Sequence, residues 1–139
     1  MFRNLMSLIL VMLMVSCGEK KTSIQDLHSE VMEIHDTVMP KMTDLHSSRK
    51  ELEIALKQGA DSTMVFNLLQ HVDEADEMMM VWMDEFKMPA EDAEEQLKMD
   101  YLFSEKKRIS EIKDKIEKSI ADVSAFTAQY VEQSVDSLR

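Results

Sequence analysis

Residues 23–59 read SIQDLHSEVMEIHDTVMPKMTDLHSSRKELEIALKQG, and their apolar pattern decides the fold class. Apolar side chains recur at alternating steps of three and four, a spacing that places them on one face of an α-helix. They are Ile24, Leu27, Val31, Ile34 and Val38. Thr22 and Ser23 both fit the first position of a capping box, and Gly59 can adopt the left-handed conformation that ends a helix. The stretch predicts one amphipathic helix over residues 23–58.

The phase of this apolar pattern shifts at Pro40. The step from Val38 to Met42 is four residues, where the heptad requires three. Pro40 has no N–H to donate to the carbonyl of Asp36, and a proline inside a helix costs about 3 kcal/mol. We therefore predict a kink at Pro40, which is either tolerated curvature or an opening beside Met39 and Met42.

The rest of the chain also has a helical pattern. It is punctuated by only two glycines and two prolines, and no alternation of apolar and polar residues is long enough for a strand. A second helix is predicted over residues 62–86 and a third over 90–138, with Pro89 at the first position of the third helix. The predicted fold class is all-α, an antiparallel three-helix bundle or coiled coil with a long third helix.

The third predicted helix is longer than its neighbour. At 1.5 Å per residue it approaches about 70 Å, whereas the second helix measures about 40 Å. Either about twenty C-terminal residues overhang and pair with another molecule, or the helix breaks around Phe103 to Lys107 and the bundle has four helices. The first alternative predicts self-association through the third helix.

The N-terminus has the pattern of an export signal. Arg3 precedes a mostly apolar run from Leu5 to Val15, which is too short to span a bilayer. Such a short run behind a basic residue is typical of a secretory signal peptide, here predicted over residues 1–16. This segment is therefore excluded from the predicted fold.

The signal peptide ends in a lipidation motif. Val15-Ser16-Cys17 is similar to the lipobox of bacterial lipoproteins, whose cysteine is acylated and becomes the new N-terminus. Cys17 is the only cysteine, so the chain forms no internal disulfide. We expect Cys17 to attach the protein to a membrane of the cell envelope, the outer membrane, with residues 17–22 as a lipidated tether and residues 23–139 as the bundle. Plain secretion after cleavage at another site is the alternative.

The mature chain is strongly acidic. Because Arg3 is the only charged residue in the signal peptide, its removal leaves 15 basic and 27 acidic side chains, a net charge of −12. This charge argues against nucleic acid and against an anionic lipid surface as partners. The segment from Asp73 to Asp100 alone carries eleven acidic and two basic residues. It is either a solvated helix face or a field that concentrates cations.

A stripe of soft ligand side chains runs along the first predicted helix. Read at steps of four and three, it comprises His28, Met32, His35, Met39, Met42 and His46. Thioether sulfur and imidazole nitrogen are ligands that Cu(I) and Ag(I) prefer, and methionine needs no deprotonation to bind them. The stripe is therefore a candidate site for a soft metal ion.

Antiparallel pairing adds methionines from the second helix to this stripe. A turn centred near residue 60 places position i of the first helix beside about 120 − i of the second, and a turn near 88 brings Met99 level with Met78. The candidate copper ligands are Met32, His35, Met39, Met42, Met78, Met79 and Met83, whereas His28 and His46 are set aside as exposed. The alternatives are that these methionines fill an uneven core beside Pro40 or act as an oxidisable sink.

Several catalytic chemistries lack their residues in this sequence. A di-iron bundle needs Glu-x-x-His pairs, but Gln25, Met32, Thr43 and Leu68 stand three residues before the four histidines. There is no His-Glu-x-x-His motif, glycine-rich phosphate loop or nucleophile with an identifiable base. We therefore do not expect an enzyme.

Two segments resemble a known group of proteins. Residues 32–42, MEIHDTVMPKM, and 75–83, ADEMMMVWM, look like short acidic helical lipoproteins of Bacteroidota that are labelled "viral A-type inclusion protein". The resemblance covers most of the mature chain. It implies lipidation and a helical fold and implies no activity.

These features together favour a non-catalytic lipoprotein of the cell envelope. Its expected role is that of a helical interaction or spacer module without a cofactor, whose protein partner the sequence does not identify. Soft-metal binding at the methionine-rich end of the bundle is the alternative function.

Overall fold

The computed structural model describes residues 22–136 as an all-α helical bundle. It contains four helical segments: α1 (Ile24–Val38), α2 (Lys41–Lys57), α3 (Ser62–Glu85) and α4 (Glu95–Asp136). The first two segments form one leg of a three-helix bundle, and α4 packs against all three others. Residues 1–21, which include the predicted signal peptide and Cys17, lie outside the described part of the chain, as do residues 137–139.

Local sequence signals set the ends of the first leg. The side chain of Ser23 accepts from the N–H of Asp26 at 3.1 Å, and the Asp26 carboxylate accepts from the N–H of Ser23 at 3.0 Å. This capping box assigns the N-cap to Ser23. Gly59 has φ +94°, and the N–H of Ala60 donates to the carbonyl of Ala55 at 3.0 Å. The left-handed glycine therefore ends α2 as predicted.

The predicted interruption at Pro40 is also present. Met39 and Pro40 both keep right-handed helical dihedral angles, so the chain does not reverse direction between α1 and α2. The N–H groups of Met42 and Thr43 donate to the carbonyls three residues earlier, each at 3.2 Å. The hydrogen-bond pattern thus tightens over one turn where the proline removes an ordinary helical bond.

The connector before α4 differs from the prediction. The last helix begins at Glu95 rather than at residue 90, so Pro89 is not its first residue. The N–H of Lys87 donates to the hydroxyl of Tyr101 at 3.1 Å, and the Lys98 side chain donates to the carbonyl of Glu91. Both hydrogen bonds join the connector between α3 and α4 to the first turns of α4. They stabilise a connector that is longer than the predicted turn.

α4 is one continuous helix of 42 residues, so the predicted alternative of a break around residues 103–107 is wrong. The predicted overhang of about twenty residues is also wrong. Val123 is fully buried, and the hydroxyl of Tyr130 donates to the carbonyl of Gln58 at 2.9 Å at the end of α2. Within the described chain, only residues 131–136 extend past that level.

Cross-helix contacts define the register of the three legs. His46 and Arg49 of α2 contact Asp76 and Asp73 of α3, so position i lies beside about 122 − i, close to the prediction. On the other side, Lys115 contacts Glu74, and the hydroxyl of Ser119 donates to the carbonyl of His71.

These contacts place position i of α3 beside about 190 − i of α4. Met99 is therefore not level with Met78, because the longer connector shifts the whole of α4.

The core of the bundle is continuous from end to end. Its buried apolar residues, among the described ones, all lie between Leu27 and Val123. The fully buried large side chains include Leu45, Leu52, Met79, Trp82, Ile109 and Ile116. Residues 22–136 therefore contain their own core, as an independently folding domain requires.

Candidate functional site

Four of the predicted metal ligands belong to the continuous apolar core of the bundle or pack against it. Met42 and Met79 are buried in the main core, and Met39 and Met83 are partly buried against it. Met32 is half-buried on α1. Methionine suits a core beside Pro40, because its unbranched side chain fills irregular gaps.

Met78 lies elsewhere. It is exposed and lines an open groove between α3 and α4, where Ile112 and Arg108 face it. Residues of α1 and α2 do not line this groove. The seven candidate ligands therefore do not all occupy one site.

The histidines of the stripe have separate neighbours. Nδ1 of His35 lies 3.0 Å from the Asp36 carboxylate, and its ring lies 5.7 Å from the ring of Trp82. His46 is exposed, and its Nε2 lies 2.8 Å from the Asp76 carboxylate. His28 is half-buried, and its ring stacks on the ring of Phe86 at 6.3 Å. The prediction that His28 is exposed is therefore wrong. Between residues 22 and 136, no group of three or more His, Cys, Asp or Glu side chains is arranged to hold a metal ion.

An aromatic cluster occupies the same end of the bundle. The ring of Phe86 stacks on Trp82 at 4.8 Å, on Tyr101 at 6.2 Å and on His28. These rings come from α1, the end of α3 and the start of α4. They join three legs at the end where the chain enters the bundle, and sequence analysis did not find them as a unit.

A buried polar pair lies beneath the aromatic rings. Nε1 of Trp82 donates to Oε2 of Glu105 at 2.8 Å, and the two residues are only 2% and 7% exposed. A buried carboxylate without a partner is costly, so this hydrogen bond stabilises the pairing of α3 with α4. No sequence pattern predicted this pair, because the two residues meet only through the shifted register of α4.

The acidic segment is partly neutralised by α4. Lys115 pairs with Glu74 at 2.8 Å, and Arg108 pairs with Glu85. The hydrogen bond from Lys115, together with a weaker one from Gln70, lowers the pKa of Glu74 below its ordinary value of 4.5. A hydrogen bond from Lys113 on the same helix likewise lowers the pKa of Glu117. Salt bridges to α4 therefore neutralise part of the negative charge that the sequence predicted to attract cations.

We expect the Lys115→Met substitution to raise the pKa of Glu74 towards 4.5, because the main cause of the shift is removed. The folded-state pKa is below the unfolded one, so the pair stabilises the fold above the unfolded pKa. That stabilisation is lost as pH falls through the folded pKa. Carboxyl NMR titration measures the shift, and thermal unfolding at neutral and acidic pH measures the stability.

Lys107→Met is the matched control for this prediction. Lys107 pairs with Glu111 on the exposed face of α4 and does not contact Glu74. The control should leave the Glu74 titration unchanged. An unshifted Glu74 in the Lys115→Met variant would show that the cross-helix pair does not form in solution.

Open grooves lie along both sides of α4. The α3–α4 groove has a volume of about 480 Å³, and its apolar side chains are Met78, Val81 and Ile112. The carboxylates of Glu74, Glu77 and Glu111 lie around them together with the guanidinium of Arg108. The α2–α4 groove, of about 620 Å³, lies at the other end of the bundle beside Ile54 and Val131.

Comparison with protein-family models, with curated proteins and with solved structures finds no match for this chain. None of the helices within residues 22–136 has an apolar segment long enough to cross a membrane.

Proposed function

We propose that this protein is a non-catalytic lipoprotein of the cell envelope that acts as a helical interaction or spacer module. The observation that carries the proposal is the α3–α4 groove. Its apolar side chains Met78 and Val81 are 38% and 40% exposed, one turn apart on α3. Contiguous exposed apolar surface bordered by polar residues is typical of protein-binding sites.

The charges of this groove favour a particular kind of partner. Three glutamates and a single arginine line it, so its net charge is negative. A partner helix that presents apolar side chains to the groove and Lys or Arg to its rim would match both features. Methionine suits such a surface because its unbranched side chain adapts to the partner.

The length of the bundle suits a spacer. α4 has 42 residues, which corresponds to about 63 Å. The lipobox-like motif precedes α1, so attachment through Cys17 would put the α2–α3 turn far from the membrane. The bundle would then hold its α2–α4 groove, which lies near that turn, away from the lipid surface.

A photo-crosslinking amino acid at Val81 tests the interaction. Met80 is the matched control, because it is exposed on the same helix but does not line the groove. In the native host, the Val81 position should give a discrete crosslinked product that is absent for Met80. Val81→Glu should abolish the complex formed by the native chain. Equal crosslinking at both positions, or none at either, would contradict the proposed role of the groove.

The anchor is tested by the Cys17→Ala substitution. The native chain should incorporate a labelled fatty acid and sediment with membranes, whereas the variant should lose both properties. The prediction rests on the lipobox-like residues that precede Cys17 and on the basic, then apolar, N-terminal segment. A native chain that carries no acyl label would refute lipidation.

A second candidate function is binding of Cu(I) or Ag(I). The observation that favours it is that Met39, Met42, Met79 and Met83 all lie in or against the bundle core, with the ring of His35 against Trp82. Thioethers and imidazole bind soft monovalent ions without releasing protons from sulfur.

Anaerobic Cu(I) competition on residues 22–139 tests this second function. Binding at these methionines should be tighter than about 1 µM and should weaken at least about tenfold in the Met39→Leu/Met79→Leu variant. Met78→Leu is the control, because Met78 lies in the α3–α4 groove. Affinity that is unchanged by the double substitution would exclude these methionines as the site.

A further inference from the structure

Three consecutive methionines on α3 differ in their contact with solvent. Met79 is fully buried in the core, whereas Met78 and Met80 on either side of it are 38% and 55% exposed. A helix of 3.6 residues per turn directs successive side chains about 100° apart, so the three lie on different faces of α3. Met64 at the start of α3 and Met88 in the connector are also about half exposed. The bundle therefore carries thioether groups both on its surface and in its core.

Thioether sulfur is the readily oxidised group on this surface. Cys17 is the only cysteine, so residues 22–139 contain no thiol, and the single tryptophan, Trp82, is buried. A peroxide oxidises a methionine thioether to the sulfoxide. The S–O bond forms as the O–O bond breaks, the sulfur gives up two electrons, and the other peroxide oxygen leaves as water with both hydrogens. Hydrogen peroxide should therefore react first with the exposed methionines.

The position of Met78 gives its oxidation a particular consequence. Met78, Val81 and Ile112 are the apolar side chains of the α3–α4 groove, and three glutamates lie around them. A sulfoxide oxygen accepts hydrogen bonds, but carboxylates are acceptors too and have no proton to donate to it. Arg108, the cationic side chain of the groove, already pairs with Glu85. A partner that covered the groove would therefore bury the sulfoxide at the cost of its hydrogen bonds to water.

The core is protected from the same reaction. Met42 and Met79 are buried, so peroxide reaches them only slowly while the bundle is folded. Met64, Met80 and Met88 are about half exposed, and a sulfoxide there remains in contact with water. Oxidation of the surface methionines thus changes the α3–α4 groove without disturbing the packing between the helices.

We propose that Met78 is an oxidation site at which a peroxide weakens the binding of a partner to the α3–α4 groove. The proposal rests on the proposed function, because it adds regulation to the same groove. It differs from an oxidisable sink, since oxidation of one side chain changes binding. The modification is reversible, because methionine sulfoxide reductases convert the sulfoxide back to the thioether while a dithiol is oxidised to a disulfide and water is released.

Site-resolved oxidation of residues 22–139 by hydrogen peroxide tests the reactivity of Met78. Proteolysis and tandem mass spectrometry give the sulfoxide content of each methionine. Met78 and Met80 should be oxidised at least about tenfold faster than Met79, and in urea the three rates should become similar because unfolding removes the burial. The melting temperature of the oxidised protein should change little. Oxidation of Met78 as slow as that of Met79, or loss of the fold when the surface methionines are oxidised, would overturn the proposal.

Photo-crosslinking from Val81 in the native host tests the effect on binding. Brief treatment with hydrogen peroxide should lower the yield of the crosslinked product at least about fivefold, because a polar group buried without a partner is costly. Met78→Leu has no sulfur at this site, so its yield should fall by less than about twofold relative to its own untreated sample. Met80→Leu is the matched control. Met80 is exposed but lies outside the groove, so this variant should remain as sensitive as the native chain.

The outcomes separate the two proposals. A product that survives complete oxidation of Met78 would overturn the oxidation site while the interaction function stands, and so would an equal loss of product in Met78→Leu. Absence of the Val81 product before peroxide is added would instead refute the proposed function, and the regulation of its groove with it.

Discussion

Trp82→Phe should lower the free energy of unfolding by about 2 to 4 kcal/mol. The substitution shrinks a large side chain that is only 2% exposed, and it removes the N–H that donates to Glu105. The carboxylate of Glu105 would then be buried without this donor, which costs more than the hydrogen bond itself contributes. Urea unfolding at neutral pH, followed by circular dichroism, measures the change.

A double-mutant cycle separates the polar contribution from the loss of volume. Glu105→Leu removes the carboxylate, so in the Trp82→Phe background it should restore part of the lost stability. We expect the double variant to be more stable than the sum of the single effects by about 1 kcal/mol or more. Strictly additive effects would show that the indole and the carboxylate are not coupled in solution.

Truncation after Ser119 should abolish cooperative unfolding. It removes Val123, which is fully buried, together with Ile120, Phe126 and Tyr130, which pack against the core. Each buried side chain of this size contributes about 1.5 to 3 kcal/mol, and a domain has only about 5 to 15 kcal/mol in total. Far-UV circular dichroism and thermal unfolding of residues 22–119 measure the loss.

Truncation after Tyr130 is the matched comparison. It removes the residues after Tyr130, which we call the overhang, but keeps the hydrogen bond from Tyr130 to Gln58 and the residues that pack against the core. The free energy of unfolding should change by less than about 0.5 kcal/mol. A large loss of stability in this variant would mean that the overhang packs on its own bundle.

Much of the fold could be predicted because its signals are local. The capping box at Ser23, the glycine that ends α2 and the interruption at Pro40 depend on residues within about four positions of one another. The apolar stripe of α1 likewise follows from helical spacing. The length of α3 was also predicted closely, since Asp61 caps its start and its core positions recur regularly.

The last helix shows where such reasoning ends. Pro89 favoured a helix from residue 90, but the hydrogen bonds of Lys87 to Tyr101 and of Lys98 to Glu91 stabilise a longer connector. These contacts join groups that no helical periodicity relates.

The candidate metal site was predicted as a list of seven residues, and the structure divides that list. Met42 and Met79 are buried in the core with Met39 and Met83 against them, whereas Met78 lies in the α3–α4 groove. Helical spacing indicates which residues share a face of their own helix. It does not indicate how far that face is rotated towards a neighbouring helix, which depends on the packing of all the side chains between them.

By itself, the sequence determined the all-α fold, the interrupted stripe from His28 to His46 and the pairing of α2 with α3, because helix periodicity and short-turn signals act over a few residues. Only the tertiary structure decided the register of α4. That register brings Glu105 to Trp82. Within the described chain it also limits the overhang to residues 131–136, whereas the predicted overhang began near residue 120. The physical reason is that register depends on the conformation of a nine-residue connector, 86–94, and on contacts between residues far apart in the chain.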